Sequence, residues 1–108
     1  MRRGDVVTVA MQGDLGKPRP AIVIQADYFS ETSTITVLPV TSEITEAPLL
    51  RITLEPSEEN GLRKRSQVMV DKPVTVKREK IGQRVGALPP SDLPRIDRSL
   101  ALFLGIAS

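Results

Sequence analysis

The feature of this sequence that most limits its fold is a series of short apolar, β-branched runs separated by clusters of Gly, Pro, Ser and Asp. Runs of this composition are typical of strands, and the residues between them are typical of turns. Strands are predicted over residues 6–10, 21–25, 34–40, 49–54, 67–70 and 74–76. In the third of these, alternation places Ile35 and Val37 on one face. Such short, closely spaced strands favour a compact barrel or a strongly bent antiparallel sheet.

A helix is predicted after the last strand, beyond Pro89 and Pro90. Ser91 or Asp92 can cap its first turn, where Pro94 is also tolerated. Apolar residues then recur at three- and four-residue spacing, namely Leu93, Ile96, Leu100, Phe103 and Leu104. We expect this apolar stripe to pack on the sheet of its own chain. The predicted fold class is therefore mainly β with a C-terminal helix.

Length and composition limit the chemistry. A chain of 108 residues suits one domain with a modest core, so a single domain spanning residues 1–108 is expected. The sequence contains no Cys and no His, which excludes disulfides, thiolate or imidazole metal ligands and Ser-His-Asp catalysis. Its formal net charge is only +2, so any anion site must be local. The sequence shows neither a signal-peptide core nor an apolar run of membrane-spanning length, which predicts a cytoplasmic protein.

Arg19 is the first candidate for a functional side chain because prolines flank it at the entrance to a predicted strand. Pro18 and Pro20 fix two φ angles and bias the residues before them toward extended backbone. The guanidinium is thus a permanently charged fork on a stiff segment, which suits two phosphate oxygens. An arginine between prolines is also typical of an ordinary solvated loop, so this segment alone leaves both interpretations open.

Four segments together resemble the MazF/PemK family of toxins. They are, in order, RGDVV at residues 3–7, GKPRPAIVI at 16–24, LPVTS at 38–42 and SQVMVDKP at 66–73. The resemblance covers nearly the whole chain and implies a small SH3-like antiparallel β-barrel of the PemK/CcdB type. It also implies a homodimeric, cofactor-free and metal-independent ribonuclease that cleaves single-stranded RNA at short sequences. A cognate antitoxin would neutralise it, and operator DNA would be contacted only through the antitoxin complex, with no membrane partner.

Metal-free RNA cleavage requires a base for the 2'-OH, a donor set for the dianionic phosphorane and an acid for the leaving 5'-oxygen. Arg19 is predicted to stabilise the phosphorane. The resemblance implies phosphate binding for Thr41, with Ser42 beside it, although turn hydrogen bonds are an alternative. Asp71 matches an aspartate that one branch of the family uses as a base with an arginine two residues earlier. Met69 occupies that earlier position here, so a turn-stabilising role for Asp71 stays open.

Basic side chains supply further candidate RNA contacts. Lys17 is the last residue of a glycine-containing loop over residues 11–17, which leads to the segment with Arg19. This loop is expected to be mobile, and in the family it helps to cover the RNA groove. Lys72 stands where glutamine is common in the family. After the turn signal Asn60-Gly61 come three adjacent cations, Arg63, Lys64 and Arg65. They would attract RNA beside a phosphate groove, or else form a solvated face.

Two alternatives belong to other functional classes. Residues 104–106, LGI, resemble the end of CcdB-type toxins, which bind DNA gyrase through a C-terminal Trp-Gly-Ile and need no catalysis. This chain lacks the tryptophan, and its RPA and PVTS segments favour the ribonuclease branch. The second alternative is an inactive module that only binds antitoxin, which Met69 keeps open.

Overall fold

The computed structural model describes residues 1–11 and 17–107 of the chain. Most of the predicted mobile loop at residues 11–17 therefore lies outside the described residues. The elements are β1 (Asp5–Ala10), β2 (Pro18–Val23), β3 (Thr34–Thr41), β4 (Arg51–Leu54), β5 (Ser66–Met69), β6 (Val74–Lys77), β7 (Ile81–Ala87) and α1 (Leu93–Leu104). Short 3-10 turns lie at Asp27–Phe29 and Arg78–Lys80. The six predicted strands and the helix are present with shifted boundaries, whereas β7 was not predicted.

The strand β2 begins three residues earlier than predicted and includes both prolines. Residues 18–20 pair with β1 alone, and pairing with β3 starts at Ala21, opposite Pro39. Proline has no backbone N–H, so it is tolerated where a strand has a partner on one side only. Among the described strands, the strand entrance that carries Arg19 is therefore paired with β1 and not with β3.

The seven described strands form one antiparallel sheet in the order β4-β5-β3-β2-β1-β7, with β6 pairing to β3. The long strand β3 connects the parts of the sheet, because its first half pairs with β6 and its last two residues pair with β5. The path ends at β4 and β7, so the sheet is bent but not closed. The predicted fold class is confirmed as mainly β with a C-terminal helix, and the predicted barrel is corrected to an open sheet.

Alternating side chains build two apolar clusters on the two faces of the sheet. Ile35 and Val37 lie in one cluster, as predicted, together with Val7 and Val9 of β1. The other cluster is larger and includes Ile96 of α1. Its buried members are Val6, Ile22, Leu38, Val40, Ile52, Leu54, Val68, Val70, Leu88 and Ile96. Burial of each such side chain contributes about 1.5–3 kcal/mol, so these clusters are the main source of stability.

The predicted apolar stripe of α1 is correct only for the first part of the helix. Ile96 is fully buried, and Leu93 and Leu100 pack against the larger cluster. Phe103 and Leu104 are instead 46% and 51% exposed, and neither belongs to either apolar cluster. Gly105 ends the helix in a left-handed conformation with φ of 75°. The glycine in the segment LGI therefore has a helix-terminating role.

The opening segment RGD fixes the start of the chain to the rest of the fold. The Arg3 guanidinium pairs with Asp97 of α1, and its Nε donates to the Ile24 carbonyl oxygen at 2.7 Å. The Asp5 carboxylate is buried and pairs with Nε of Arg84 in β7 at 3.1 Å. Within residues 1–11 and 17–107, no helix is long and apolar enough to cross a membrane.

Candidate functional site

A groove of about 650 Å³ lies where the start of β2, the end of β3 and the loop between β4 and β5 meet. Its described lining includes apolar side chains from several elements, among them Met11, Leu62, Met69 and Val85. The charged and hydroxyl side chains on its walls are Thr8, Arg19, Thr41, Ser42, Glu43, Arg63, Lys64 and Ser66. The groove thus gathers five of the residues predicted from sequence: Arg19, Thr41, Ser42, Arg63 and Lys64.

Arg19 lies near the start of β2, opposite Val9 of β1, and its side chain is exposed on the wall of the groove. The two flanking prolines are part of the same strand, so the backbone that carries the guanidinium is extended and paired. A guanidinium presented in this way can offer two parallel N–H donors to a phosphate. The expected presentation of Arg19 from a stiff strand entrance is therefore present.

Thr41 is the last residue of β3, and its hydroxyl belongs to the turn that follows. The Glu43 backbone N–H donates to Thr41 Oγ1 at 3.1 Å, so the turn hydrogen bond considered from sequence is present. A hydroxyl that accepts one hydrogen bond still has its own O–H to donate. Thr41 can therefore stabilise the turn and donate to an oxygen in the groove at once.

Gln67 fixes the turn that carries Thr41, Ser42 and Glu43. This side chain is 4% exposed on β5, directly opposite Thr41. Its Oε1 accepts from the Thr45 N–H at 3.0 Å, and its Nε2 donates to the Thr45 carbonyl oxygen at 3.0 Å. A buried amide that bonds both backbone groups of one residue holds that residue in one orientation. The turn is thus attached to the sheet two residues beyond Glu43.

The loop between β4 and β5 is built around the buried side chain of Asn60. Its Oδ1 accepts from the backbone N–H groups of Ser57 and Leu62 at 3.0 and 2.9 Å, and its Nδ2 donates to the Glu55 carbonyl oxygen at 2.8 Å. Gly61 follows with φ of +70°, as the turn signal predicted. This packing places Arg63 and Lys64 on the groove wall, so these two cations have a defined position beside it.

Four predicted site residues lie outside the described lining of the groove. Arg65 pairs with Glu55 through Nε at 2.9 Å, on an exposed part of the loop. Lys17 and Lys72 are exposed, and Asp71 is half-buried in the turn after β5. Of the three adjacent cations, Arg63 and Lys64 therefore belong to the described lining of the groove, and Arg65 does not.

Asp71 has a partner that no pattern along the chain indicates. Its carboxylate forms an ion pair with Arg51 of β4, and the two side chains are only 21% and 16% exposed. Arg51 is the direct cross-strand neighbour of Met69. A guanidinium thus stands beside Asp71 although the position two residues earlier is methionine. Met69 itself lines the groove, so the pair borders the site without lining it.

Glu43 is the charged residue of this groove that the sequence patterns do not indicate. It supplies the one carboxylate among the described lining residues, which also include three cations: Arg19, Arg63 and Lys64. The available signal was its position two residues after Thr41, but a glutamate in a polar turn is ordinarily solvated and so does not attract notice. Among the described residues, no three Asp or Glu side chains converge as a metal ligand set.

Comparisons with known proteins agree with this architecture. The model of the PemK-like, MazF-like toxins of type II toxin-antitoxin systems matches residues 2–104. A relative from Mycolicibacterium smegmatis, named as a probable endoribonuclease MazF, is 50% identical over 108 residues, with 99% of each chain covered. An endoribonuclease solved in complex with its cognate antitoxin from mycobacterial species has a TM-score of 0.85 at 20% identity, covering 100% of this chain and 98% of that one. The Form-II structure of MazE-MazF from Deinococcus radiodurans has a TM-score of 0.77 at 26% identity, covering 99% and 97%.

Proposed function

Because this chain belongs to the family of PemK-like, MazF-like toxins of type II toxin-antitoxin systems, we propose that it is an endoribonuclease toxin that cleaves single-stranded RNA in the groove described above. The family predicted from four sequence segments is confirmed. The observation that carries the proposal is the convergence of Arg19, Thr41 and Ser42 with two further cations in one groove. That set combines phosphate attraction with donors that can bind a phosphorane.

The proposed reaction is attack of a 2'-hydroxyl on the adjacent phosphorus, which leaves a 2',3'-cyclic phosphate and requires no metal ion. Arg19 stabilises the dianionic phosphorane, because a preorganised guanidinium interacts most strongly where negative charge develops. The Thr41 hydroxyl donates to a phosphorane oxygen. Arg63 and Lys64 hold neighbouring phosphates, and hydrogen bonds to base edges select the sequence. With three aromatic residues in the whole chain, base stacking has a minor part.

We also propose a cognate antitoxin and a homodimer. Support for the antitoxin comes from the family and from similar structures, since the mycobacterial endoribonuclease and the Deinococcus radiodurans MazF were solved with theirs. An acidic, disordered antitoxin segment lying in the groove would compete with RNA for Arg19, Arg63 and Lys64. A two-fold dimer would enlarge the groove of a small chain by joining two subunits.

The experiment that tests this function is incubation of the purified protein with a long, mixed-sequence RNA in the presence of EDTA. We expect discrete cuts whose 5' fragments end in a 2',3'-cyclic phosphate. The Arg19→Ala variant should lose at least about 10²-fold in cleavage rate, the effect typical of removing one transition-state donor. Because Arg19 is exposed, the variant should remain folded, with the circular dichroism spectrum of the wild type.

Arg98→Ala is the matched control, since Arg98 is an exposed arginine on α1 outside the described groove lining. This variant should cut at the wild-type rate and at the same sites. RNA that stays intact with the wild-type protein, or cutting by Arg19→Ala at full rate, would contradict the proposed function.

A further inference from the structure

We infer that Glu43 is the general base of this reaction, a role that its carboxylate fills by taking the proton of the attacking 2'-hydroxyl. This inference rests on the proposed function and concerns the same groove. It assigns to a named side chain the first of the three tasks of metal-free cleavage.

Two observations favour Glu43 over the aspartate predicted from sequence. Glu43 is the one carboxylate on the groove wall among the described residues. Asp71 lies outside the described lining, and its carboxylate is engaged by the Arg51 guanidinium. A carboxylate that is held by a guanidinium outside the groove lining is poorly placed to take a proton from RNA, because a base must come within hydrogen-bond distance of the hydroxyl that it deprotonates.

The local backbone couples Glu43 to Thr41. The Glu43 N–H donates to Thr41 Oγ1, and Gln67 fastens the same turn at Thr45. The proposed base and the proposed phosphorane donor are therefore carried by one short, anchored turn. This arrangement fixes the Glu43 backbone beside the proposed phosphorane donor, so the carboxylate is held within a side chain's length of the site where the phosphate would bind.

The surrounding charges are compatible with a carboxylate at this place. Arg19, Arg63 and Lys64 line the same groove, so cations outnumber the one carboxylate among its described side chains. RNA phosphates are then attracted in spite of Glu43. The side chain is also exposed, which lets it reach a bound strand and release its proton to water.

The proposed step moves one proton and replaces one phosphorus–oxygen bond with another. A Glu43 oxygen takes the 2'-hydroxyl proton, and the 2'-oxygen forms a bond to phosphorus while Arg19 and Thr41 stabilise the added charge. The bond between phosphorus and the 5'-oxygen breaks, and that oxygen leaves with the bonding electron pair and takes a proton from a water molecule. Glu43 then returns its proton to solvent, so the net result is transesterification to a cyclic phosphate and a free 5'-hydroxyl.

The test compares Glu43→Gln with Glu46→Gln, a matched removal of one exposed carboxylate from the same loop but outside the described groove lining. The substrate is a short RNA that contains one mapped cleavage site, and cleavage is followed in single turnover with excess enzyme. Glu43→Gln should slow cleavage by about 10²- to 10⁴-fold, the usual contribution of a general base. Its RNA affinity should be equal or higher because a negative charge has been removed. Glu46→Gln should cleave at the wild-type rate.

A second substrate separates a base from an acid. In an RNA whose bridging 5'-oxygen is replaced by sulfur, the leaving group needs no proton. The defect of Glu43→Gln should persist on this substrate, since deprotonation of the 2'-hydroxyl is still required. Full recovery on the sulfur substrate would overturn the inference by making Glu43 the acid, and wild-type cleavage of ordinary RNA by Glu43→Gln would overturn it outright.

Failure of this inference is distinguishable from failure of the proposed function. If the wild-type protein cuts RNA, fails on a 2'-deoxy strand and needs Arg19, while Glu43→Gln remains fully active, the ribonuclease assignment stands and the base is another group. If wild-type protein does not cut RNA at all, both proposals fail together.

Discussion

At the scale of single residues, the role of a side chain here depends on the partner that the fold supplies. Asp71 illustrates this, because its guanidinium partner comes from Arg51, twenty positions earlier in the chain. The sequence pattern around Met69 indicates a missing arginine, whereas the cross-strand register places one directly beside that methionine. A local motif cannot reveal such a contact, since it exists only after β4 and β5 have paired.

This contact predicts a structural rather than a chemical effect for Asp71→Asn. Loss of the half-buried carboxylate leaves the Arg51 guanidinium with a weaker partner, and we expect a loss of about 1–3 kcal/mol in the free energy of unfolding. The rate of RNA cleavage by the folded variant should stay within a few-fold of wild type. Urea denaturation and single-turnover cleavage measure the two quantities. A large drop in cleavage at unchanged stability would instead make Asp71 catalytic, and in an Arg51→Met background the same change should have little further effect on stability.

At the scale of elements, the strand that sequence reasoning missed is also the one that supports the groove wall. In β7, glycines, a glutamine and an arginine interrupt the apolar residues, and most of the strand is exposed. It pairs with β1 through two register shifts, so the regular alternation that identifies a half-buried strand is absent. The other six strands are predictable from sequence because each contains an apolar, β-branched run between turn residues. The loop that carries Arg63 and Lys64 packs against β7 at two glycines: Gly61 of the loop lies against Val85, and Gly86 of β7 lies against Asn60.

That packing predicts that Gly61→Ala strongly lowers the free energy of unfolding. Gly61 has φ of +70°, a conformation that is strained for any residue with a Cβ. That Cβ would also lie 2.0 Å from the Val85 backbone oxygen, so the backbone would have to move. Gly105→Ala is the matched control, with φ of +75° and no neighbour within 4 Å of the added Cβ. The control should lose about 1–2 kcal/mol, the cost of a left-handed conformation. Gly61→Ala should lose clearly more of the free energy of unfolding, measured by urea denaturation, and should also bind RNA more weakly. Equal losses in the two variants would show that the loop adapts without cost.

At the scale of the whole molecule, the candidate site could be predicted only in part. Arg19 is predictable from its two flanking prolines, and Thr41 and Ser42 are predictable from the LPVTS segment that resembles the family. Their meeting in one groove follows from the pairing of β2 with β3. The assignment of Arg63 and Lys64, but not Arg65, to the groove required the fold of a loop around Asn60. Glu43 could not be predicted because its place in the groove lining depends on residues from other elements.

The distribution of charge leads to a prediction for RNA binding by the whole protein. A net charge of +2 gives little general attraction, so the salt dependence of affinity should reflect the groove cations Arg19, Arg63 and Lys64. With about 0.7 counterions released per phosphate neutralised on a single strand, the slope of log affinity against log salt concentration should be about −2. Fluorescence anisotropy with a 2'-deoxy-substituted strand, which the proposed reaction cannot cleave, measures this slope across a potassium chloride series.

Two substitutions decide which cations contribute to that slope. Arg63→Ala should make it shallower by about 0.7, because one phosphate contact is lost. Lys72→Ala should leave it unchanged, since Lys72 is exposed but lies outside the described lining of the groove. A slope that is much steeper than −2, and that Lys72→Ala reduces as strongly as Arg63→Ala does, would mean that the bound strand extends past the groove toward the turn after β5. In that case, the path of the RNA would run beside the Arg51–Asp71 pair, and Lys72 would regain the phosphate-binding role first inferred from sequence.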